Sequence, residues 1–301
     1  MRKVKIGLFL VLGFVVLVEV AGRFYGLTSY PLYDASTEFE YLLKPNQNTT
    51  IYRNRFVTNE FSMRSNPVLA QDSIIVLLVG DSIINGGNSI DQDSLASTLV
   101  EKELLRKYGK TIRVLNISDK TWSPDNVVAY LKKYGTFQAD MLLLVANSGD
   151  AFDPMTFQPI VGVASSHPAE NDWLAWPKLV VKAWDTLEDR YFRKPETEKK
   201  RVKAPEEPQN LVKGFSDLDS LSKKLQIPFS VYLHLSQPEL TNNTVDPGGL
   251  VIEEFCRKNQ IPLQVDHMGL DMFNDDIHLN SKGQKALAAD LLPIIERGLK
   301  L

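Results

Sequence analysis

The sequence predicts an α/β domain built on a parallel sheet with helices on both faces, entered through an N-terminal membrane segment. Short continuous apolar runs, "SIIVLLVG", "TIRVLNIS", "ADMLLLVANS", "PFSVYLHLS" and "IPLQVD", recur along residues 72–301. Amphipathic stretches separate them, the pattern of strands buried on both faces and returned by covering helices. The first residues are basic and then strongly apolar, which marks targeting rather than core.

Residues 1–23 read as a membrane anchor or signal segment. "MRKVK" precedes "IGLFLVLGFVVLV", thirteen residues without a charge, and Glu19 and Arg23 follow. That core is short for a spanning helix. Glu19 occupies a position that a cleavage site after Ala21 needs small, which favours a retained single-pass anchor over a cleaved signal. Arg2, Lys3 and Lys5 would stay cytoplasmic and send the chain to an extracytoplasmic site, periplasm or cell surface.

Residues 24–71 are polar and turn-rich, an approach segment expected to pack on the domain. Within it "TIYRNRFVTN" reads as an edge strand, and Arg64 reads equally as an anchor to the domain or a solvated side chain. Residues 72–301 form the main domain, with helices expected near 94–108 and 125–134 and a closing helix over "SKGQKALAADLLPIIERGLK". Residues 151–210 interrupt the rhythm as an insertion. Its aromatic part, "DWLAWPKLVVKAWDTLEDRYF", reads as a helix whose Trp173, Trp176 and Trp184 pack against the domain, sugar stacking being the alternative. Its charged part, "RKPETEKKRVKAPEEPQN", has too little apolar content to pack and reads as an exposed loop.

A net charge of -3 shows no electrostatic footprint for nucleic acid. The single cysteine, Cys256, excludes an internal disulfide and reads as a packing residue, and no Cys or His cluster has metal spacing. No metal or organic cofactor is implied. "VGDSIINGG" lacks the Gly-x-Gly-x-x-Gly spacing that lets a backbone approach pyrophosphate, which disfavours a nucleotide site.

The chemistry lies at two ends of the chain. "IIVLLVGDSIINGG" delivers Ser82 at the tip of a buried strand, on the first turn of a helix where free N–H groups favour developing negative charge. A serine there also serves as a plain helix cap. In "NDDIHLNSKGQKAL", Asp275 and His278 stand three apart just before the last helix. Open parallel sheets gather reactive groups at the carboxyl ends of their strands, so a serine after the first and a histidine after the last can meet. Asp276 is the alternative carboxylate, and Asp81 reads as serving the turn.

These two blocks resemble the first and last blocks of the GDSL/SGNH hydrolases. The resemblance implies a three-layer α/β/α sandwich with a central parallel sheet, SGNH/flavodoxin-like. It implies Ser82 as nucleophile, His278 as general base and Asp275 as its orienting carboxylate. It also implies one oxyanion donor from a glycine after the second strand and one from an asparagine after the third. Here Lys120 and Ser123 stand where relatives carry glycine, in "NISDKTWSPDN", and Gly149 in "VANSGDAFD" holds the asparagine slot. Losing one such donor typically costs about 2.7 to 4 kcal/mol of transition-state stabilisation. The Lys120 N–H, the Lys120 ammonium and Asn147 are the candidate replacements. The approach segment resembles that of membrane-anchored SGNH proteins associated with surface polysaccharides. On these grounds the expected function is a membrane-tethered serine esterase or O-acyltransferase acting on ester, O-acetyl above all, groups of cell-surface glycans. The alternative is a degenerate SGNH-fold protein that binds or assembles surface polysaccharide.

Overall fold

The structure, a computed structural model, describes residues 2–69, 73–109, 112–191 and 210–301. The chain opens on a long helix, α1 (Arg2–Phe24), and two antiparallel hairpins follow: β1 (Tyr33–Ser36) with β2 (Glu40–Leu43), and β3 (Asn48–Ile51) with β4 (Asn54–Val57). The main domain then runs β5 (Ile74–Gly80), α2 (Ser82–Asn85), α3 (Ala96–Tyr108), β6 (Ile112–Ser118), α4 (Pro124–Tyr134) and β7 (Met141–Asn147). It continues with α5 (Trp176–Tyr191), α6 (Gly214–Leu225), β8 (Phe229–His234), α7 (Gln237–Asn242), α8 (Pro247–Asn259), β9 (Leu263–Val265) and α9 (Ser281–Leu299).

Five strands form one wholly parallel sheet in the order β6-β5-β7-β8-β9. Successive residues of a strand point to opposite faces, and the two cores divide accordingly. Val76, Leu78, Val114, Leu143 and Val145 pack with α3 and α9 on one side. Leu77, Val79, Leu115, Leu142 and Leu144 pack with α4, α6 and α8 on the other. The chain thus has three layers with the sheet between. Strand order reverses beside β5, and its carboxyl end is the topological switch point at which open sheets hold their ligands.

Two expectations need correction. "TIYRNRFVTN" adds no edge strand to the main sheet. Tyr52 and Arg53 both adopt positive φ, 52° and 66°, and this two-residue turn folds the stretch back on itself as the β3–β4 hairpin. The tryptophans of the insertion do not pack into the domain: Trp173, just before α5, is 85% exposed, and Trp176 and Trp184 of α5 are 39% and 67% exposed. The helix is instead held at its start by α1. The charged stretch of residues 193–210 lies outside the described residues, apart from Asn210. Cys256 is buried and free.

The approach segment lies on the domain through specific contacts. The Tyr41 hydroxyl meets the Lys120 carbonyl, Trp122 Nε1 donates to the Tyr41 carbonyl at 3.2 Å, and the Tyr130 hydroxyl donates to the Phe61 carbonyl at 2.6 Å. Arg64 is fully buried. Its guanidinium lies 4.0 Å over the Phe56 ring and donates to the carbonyls of Asn85, Gly87 and Ile90, pinning the loop that follows Ser82. Burial pushes its pKa down to about 9.

Removing Arg64 strands these buried carbonyls, each worth about 1–3 kcal/mol. Arg64→Met is expected to lower stability by at least about 3 kcal/mol, read as a fall in urea midpoint. Arg64→Lys recovers little of it, because an ammonium cannot span acceptors that a planar fork reaches together. An unchanged midpoint in Arg64→Met would overturn this role.

Candidate active site

β5 ends in Gly80 because a Cβ there would lie 2.4 Å from the Val145 carbonyl oxygen of β7. Asp81 follows as the N-cap of α2. One carboxylate oxygen accepts the Ile83 N–H at 2.9 Å and the other accepts Asn147 Nδ2 at 2.8 Å. Ser82 is therefore the first residue of a one-turn helix, which Gly86 ends in the left-handed conformation, φ 71°. As the first residue of that helix, Ser82 has an N–H with no intrahelical acceptor.

The partner loop comes from the far end of the chain. An antiparallel bridge from Phe273 to Leu279 closes it, and the Asn274 N–H donates to the His278 carbonyl at 2.7 Å. The loop folds the Asp275 carboxylate back under its own histidine. Oδ1 accepts the N–H groups of Ile277 (3.0 Å) and His278 (2.8 Å), and Oδ2 lies 2.8 Å from His278 Nδ1. The other ring nitrogen, Nε2, lies 3.0 Å from Ser82 Oγ. Burial draws the Asp275 pKa up, but the two N–H groups and the imidazole outweigh it and hold the carboxyl below its usual range. Asp276 does not join this chain of hydrogen bonds; its carbonyl accepts the Gln237 N–H at 2.7 Å.

Beneath the loop lies a buried pair that the sequence reading passed over. His234 Nδ1 meets Asp266, its Nε2 lies 2.9 Å from the Ile277 carbonyl, and its ring stacks on Phe273. Both ring nitrogens face acceptors, so both donate and the ring is an imidazolium. Burial alone would lower its pKa; the Asp266 carboxylate and the Ile277 carbonyl turn the shift upward. His234 closes β8 and Asp266 lies one residue past β9. Their position at the carboxyl ends of strands was the signal available in the sequence.

The candidate oxyanion donors separate. Lys120 lines the cleft beside Ser82, but its N–H donates to Asp119 Oδ1 at 2.8 Å and its ammonium donates to the Ser166 carbonyl at 3.1 Å. Burial lowers the Lys120 pKa against the opposing pull of Asp119, whose own pKa burial raises to about 7. Asn147 lies next to the Ser82 turn with its amide donating to Asp81 and its carbonyl oxygen accepting the Gly149 N–H at 2.7 Å. Gly149 does not line the cleft, and Ser123 serves as the N-cap of α4. Asn147 also donates its backbone N–H to Asp150 at 2.9 Å, and burial raises the pKa of both Asp81 and Asp150.

The cleft above Ser82 has a volume of about 310 Å3 and is walled by Ile83, Gly86, Gly87, Ser89, Lys120, Ser166, Asn274 and His278 among others. Ser89, Ser166 and Asn274 are polar groups that the sequence reading did not single out. Among the described residues no cluster of His, Cys, Asp and Glu could hold a metal ion.

The raised pKa of His234 sets a pH dependence. Its contribution to stability is complete below the ordinary histidine value, about 6.5, and is lost as pH rises through the higher folded value. The stability gap between the native chain and His234→Gln is therefore expected to be widest near pH 5 and to narrow toward pH 9. Urea denaturation across that range measures it, and a gap that widens with pH would refute the imidazolium.

No family model matches the chain, and no curated protein does. Among solved structures it is similar to the psychrotrophic esterase EstA from Pseudoalteromonas sp., at 14% identity and TM-score 0.44 over 75% of this chain and 99% of that one. It is similar to a lipase/acylhydrolase from Enterococcus faecalis, at 14% identity and TM-score 0.42 over 74% and 95%. A third is Axe2, an acetylxylan esterase from Geobacillus stearothermophilus, at 12% identity and TM-score 0.40 over 78% and 97%. The fold itself, a five-stranded parallel sheet between two helical layers with Ser82 at its switch point, is the three-layer α/β/α sandwich that the sequence predicts.

Proposed function

We propose that the protein is a membrane-tethered serine esterase or O-acyltransferase that acts on short acyl esters, O-acetyl groups above all, of cell-surface glycans. The observation that carries the reading is the unbroken run of hydrogen bonds from Ser82 Oγ through His278 to Asp275 at a cleft. His278 Nε2 takes the Ser82 proton as Oγ attacks the ester carbonyl carbon. The imidazolium then returns that proton to the leaving alcohol oxygen, and an acyl-serine is left behind. Water in a hydrolase, or a second hydroxyl in a transferase, attacks the acyl carbon with His278 again taking the proton, and the bond from Ser82 Oγ to the acyl carbon breaks as the imidazolium returns that proton to Oγ. Asp275 stays ionised throughout and holds the imidazole in the tautomer that accepts at Nε2. The Ser82 N–H, which has no intrahelical acceptor, is the donor this reading assigns to the negative charge that develops on the carbonyl oxygen.

A cleft of about 310 Å3 is near the lower end of ligand sites, which suits an acetyl group better than a long acyl chain. Its hydroxyl, amide and ammonium groups suit a hydroxylated leaving group. The extracytoplasmic glycan setting rests on the basic, apolar N-terminus and on the approach segment's resemblance. α1 is long and apolar enough over Val4–Phe24 to cross a membrane, mean hydropathy 2.5, and its apolar side chains are exposed, which fits an anchor and equally a signal segment.

A second reading, a glycan-binding protein without turnover, draws on the Lys120 and Gly149 N–H groups, both committed to other acceptors. Turnover of p-nitrophenyl acetate separates the two. Ser82→Ala is expected to abolish hydrolysis and fluorophosphonate labelling with circular dichroism unchanged. Asp275→Asn is expected to lower kcat by roughly 10^4-fold through the wrong tautomer. Saturable oligosaccharide binding in calorimetry, with native turnover no faster than that of Ser82→Ala, would establish the binding protein instead.

Among the described residues, Lys120 is the one lysine or arginine on the cleft wall. If it reaches the oxyanion, Lys120→Ala lowers kcat by about 10^2 to 10^3 with KM little changed. A change confined to KM would place Lys120 in substrate binding.

A further inference from the structure

Helix α5 carries an apolar stripe that is left exposed among the described residues. Trp176, Val180, Trp184 and Leu187 follow one another at helical spacing on one face, and they are 39%, 56%, 67% and 49% exposed. Trp173, just before the helix, is barely covered at all.

The start of α5 is clamped to the last turns of α1. The Glu19 carboxylate accepts the N–H groups of Ala175 at 2.8 Å and Trp176 at 3.0 Å, satisfying donors at the helix N-terminus. Arg23 binds both Glu19 and the Trp173 carbonyl. The helices touch closely at Gly22, where a Cβ would lie 2.6 Å from the Ala175 Cβ. Glu19, the acid that interrupts the apolar N-terminal run, thus has a structural task. Beside this clamp α1 keeps an apolar surface of its own, exposed at Leu17, Val20 and Phe24.

We propose that α5 lies in the bilayer interface on the side where α1 leaves the membrane, its Trp176–Val180–Trp184–Leu187 face in contact with lipid. Paired tryptophans on an amphipathic helix suit the boundary between headgroups and acyl chains. The occupant is lipid because the start of α5 is clamped to the last turns of an apolar helix long enough to cross a membrane, which places the stripe beside the point where that helix ends. The proposal rests on the reading of α1 as a retained anchor. It also sets the orientation of the catalytic rim. Lys120 and Ser166 of the Ser82 cleft also line a small neighbouring depression with Leu27, Tyr30 and Tyr52 of the approach segment and Lys178 of α5. The cleft therefore opens beside the membrane surface, and a membrane-proximal acyl ester reaches Ser82 without crossing the domain.

Spin labels on the full-length chain test this, placed singly at Val180→Cys, Trp184→Cys and Leu187→Cys in a Cys256→Ala background. The vesicles are phosphatidylcholine with a minority of phosphatidylglycerol. Collision with oxygen, which partitions into lipid, is compared with collision with an aqueous nickel chelate. Leu17→Cys reports on α1. Leu105→Cys is the aqueous reference, an exposed leucine in the last turns of α3, at the opposite end of the sheet. The α5 labels are expected to show an oxygen-to-nickel ratio several-fold above that of Leu105→Cys and approaching that of Leu17→Cys. Ratios equal to that of Leu105→Cys, with Leu17→Cys lipid-exposed, would overturn the proposal and leave the anchor standing. Spin–spin broadening at the stripe would name a second copy as the occupant and overturn it too. An aqueous Leu17→Cys would remove the anchor and the proposal with it.

Discussion

The hydrogen bond from Ser82 Oγ to His278 Nε2 joins residues 196 positions apart, and the rest of the molecule exists to keep those two atoms at 3.0 Å. Neither side chain is held by its own element alone. Ser82 rides on a single helical turn, too short to be stable by itself. His278 sits on an irregular loop, and its side chain is 45% exposed. Parallel topology resolves this: every strand of the sheet ends at the same rim, so loops from opposite ends of the chain become neighbours there.

A buried polar layer then takes over from the sheet. Asp81, Asn147 and Asp150 are linked by hydrogen bonds under the Ser82 turn, and His234 with Asp266 supports the loop of Asp275 and His278. Such groups are costly to bury unless each is satisfied, and here two of the hydrogen bonds also fix backbone groups of the site, the Asn147 N–H and the Ile277 carbonyl. Arg64 does the same from the approach segment, and this is why a stretch outside the three layers matters to the rim. Its guanidinium sits among neutral carbonyls, and its lowered pKa is the electrostatic expression of that placement.

The α1–α5 clamp extends the same logic outward. A carboxylate within an apolar run is expensive in lipid, yet Glu19 is placed at the end of that run, where it caps a second helix and pairs with Arg23. Membrane attachment and the position of the rim thus become parts of one design in the proposed function. The site would be a surface-facing one, working on esters held close to the bilayer.

The strands of the main domain, their parallel order and the two end blocks were legible in the sequence, because burial on both faces demands continuous apolar runs and because Asp-x-x-His is a local spacing. The closing turn of β3–β4 was not, since Tyr52 and Arg53 carry no glycine to announce positive φ. The exposure of the α5 tryptophans was not either, because an amphipathic face looks the same whether protein or lipid will cover it. Whether Arg64 is an anchor or solvated depended on carbonyls 21 to 26 residues away, and whether Lys120 and Gly149 have N–H groups to spare depended on how the neighbouring Asp119 and Asn147 side chains turn. Local pattern by itself determined which segments are buried and where reactive side chains can emerge. Only the tertiary structure decided which polar groups meet, because a hydrogen bond needs two partners within about 3 Å and the chain supplies them from unrelated positions.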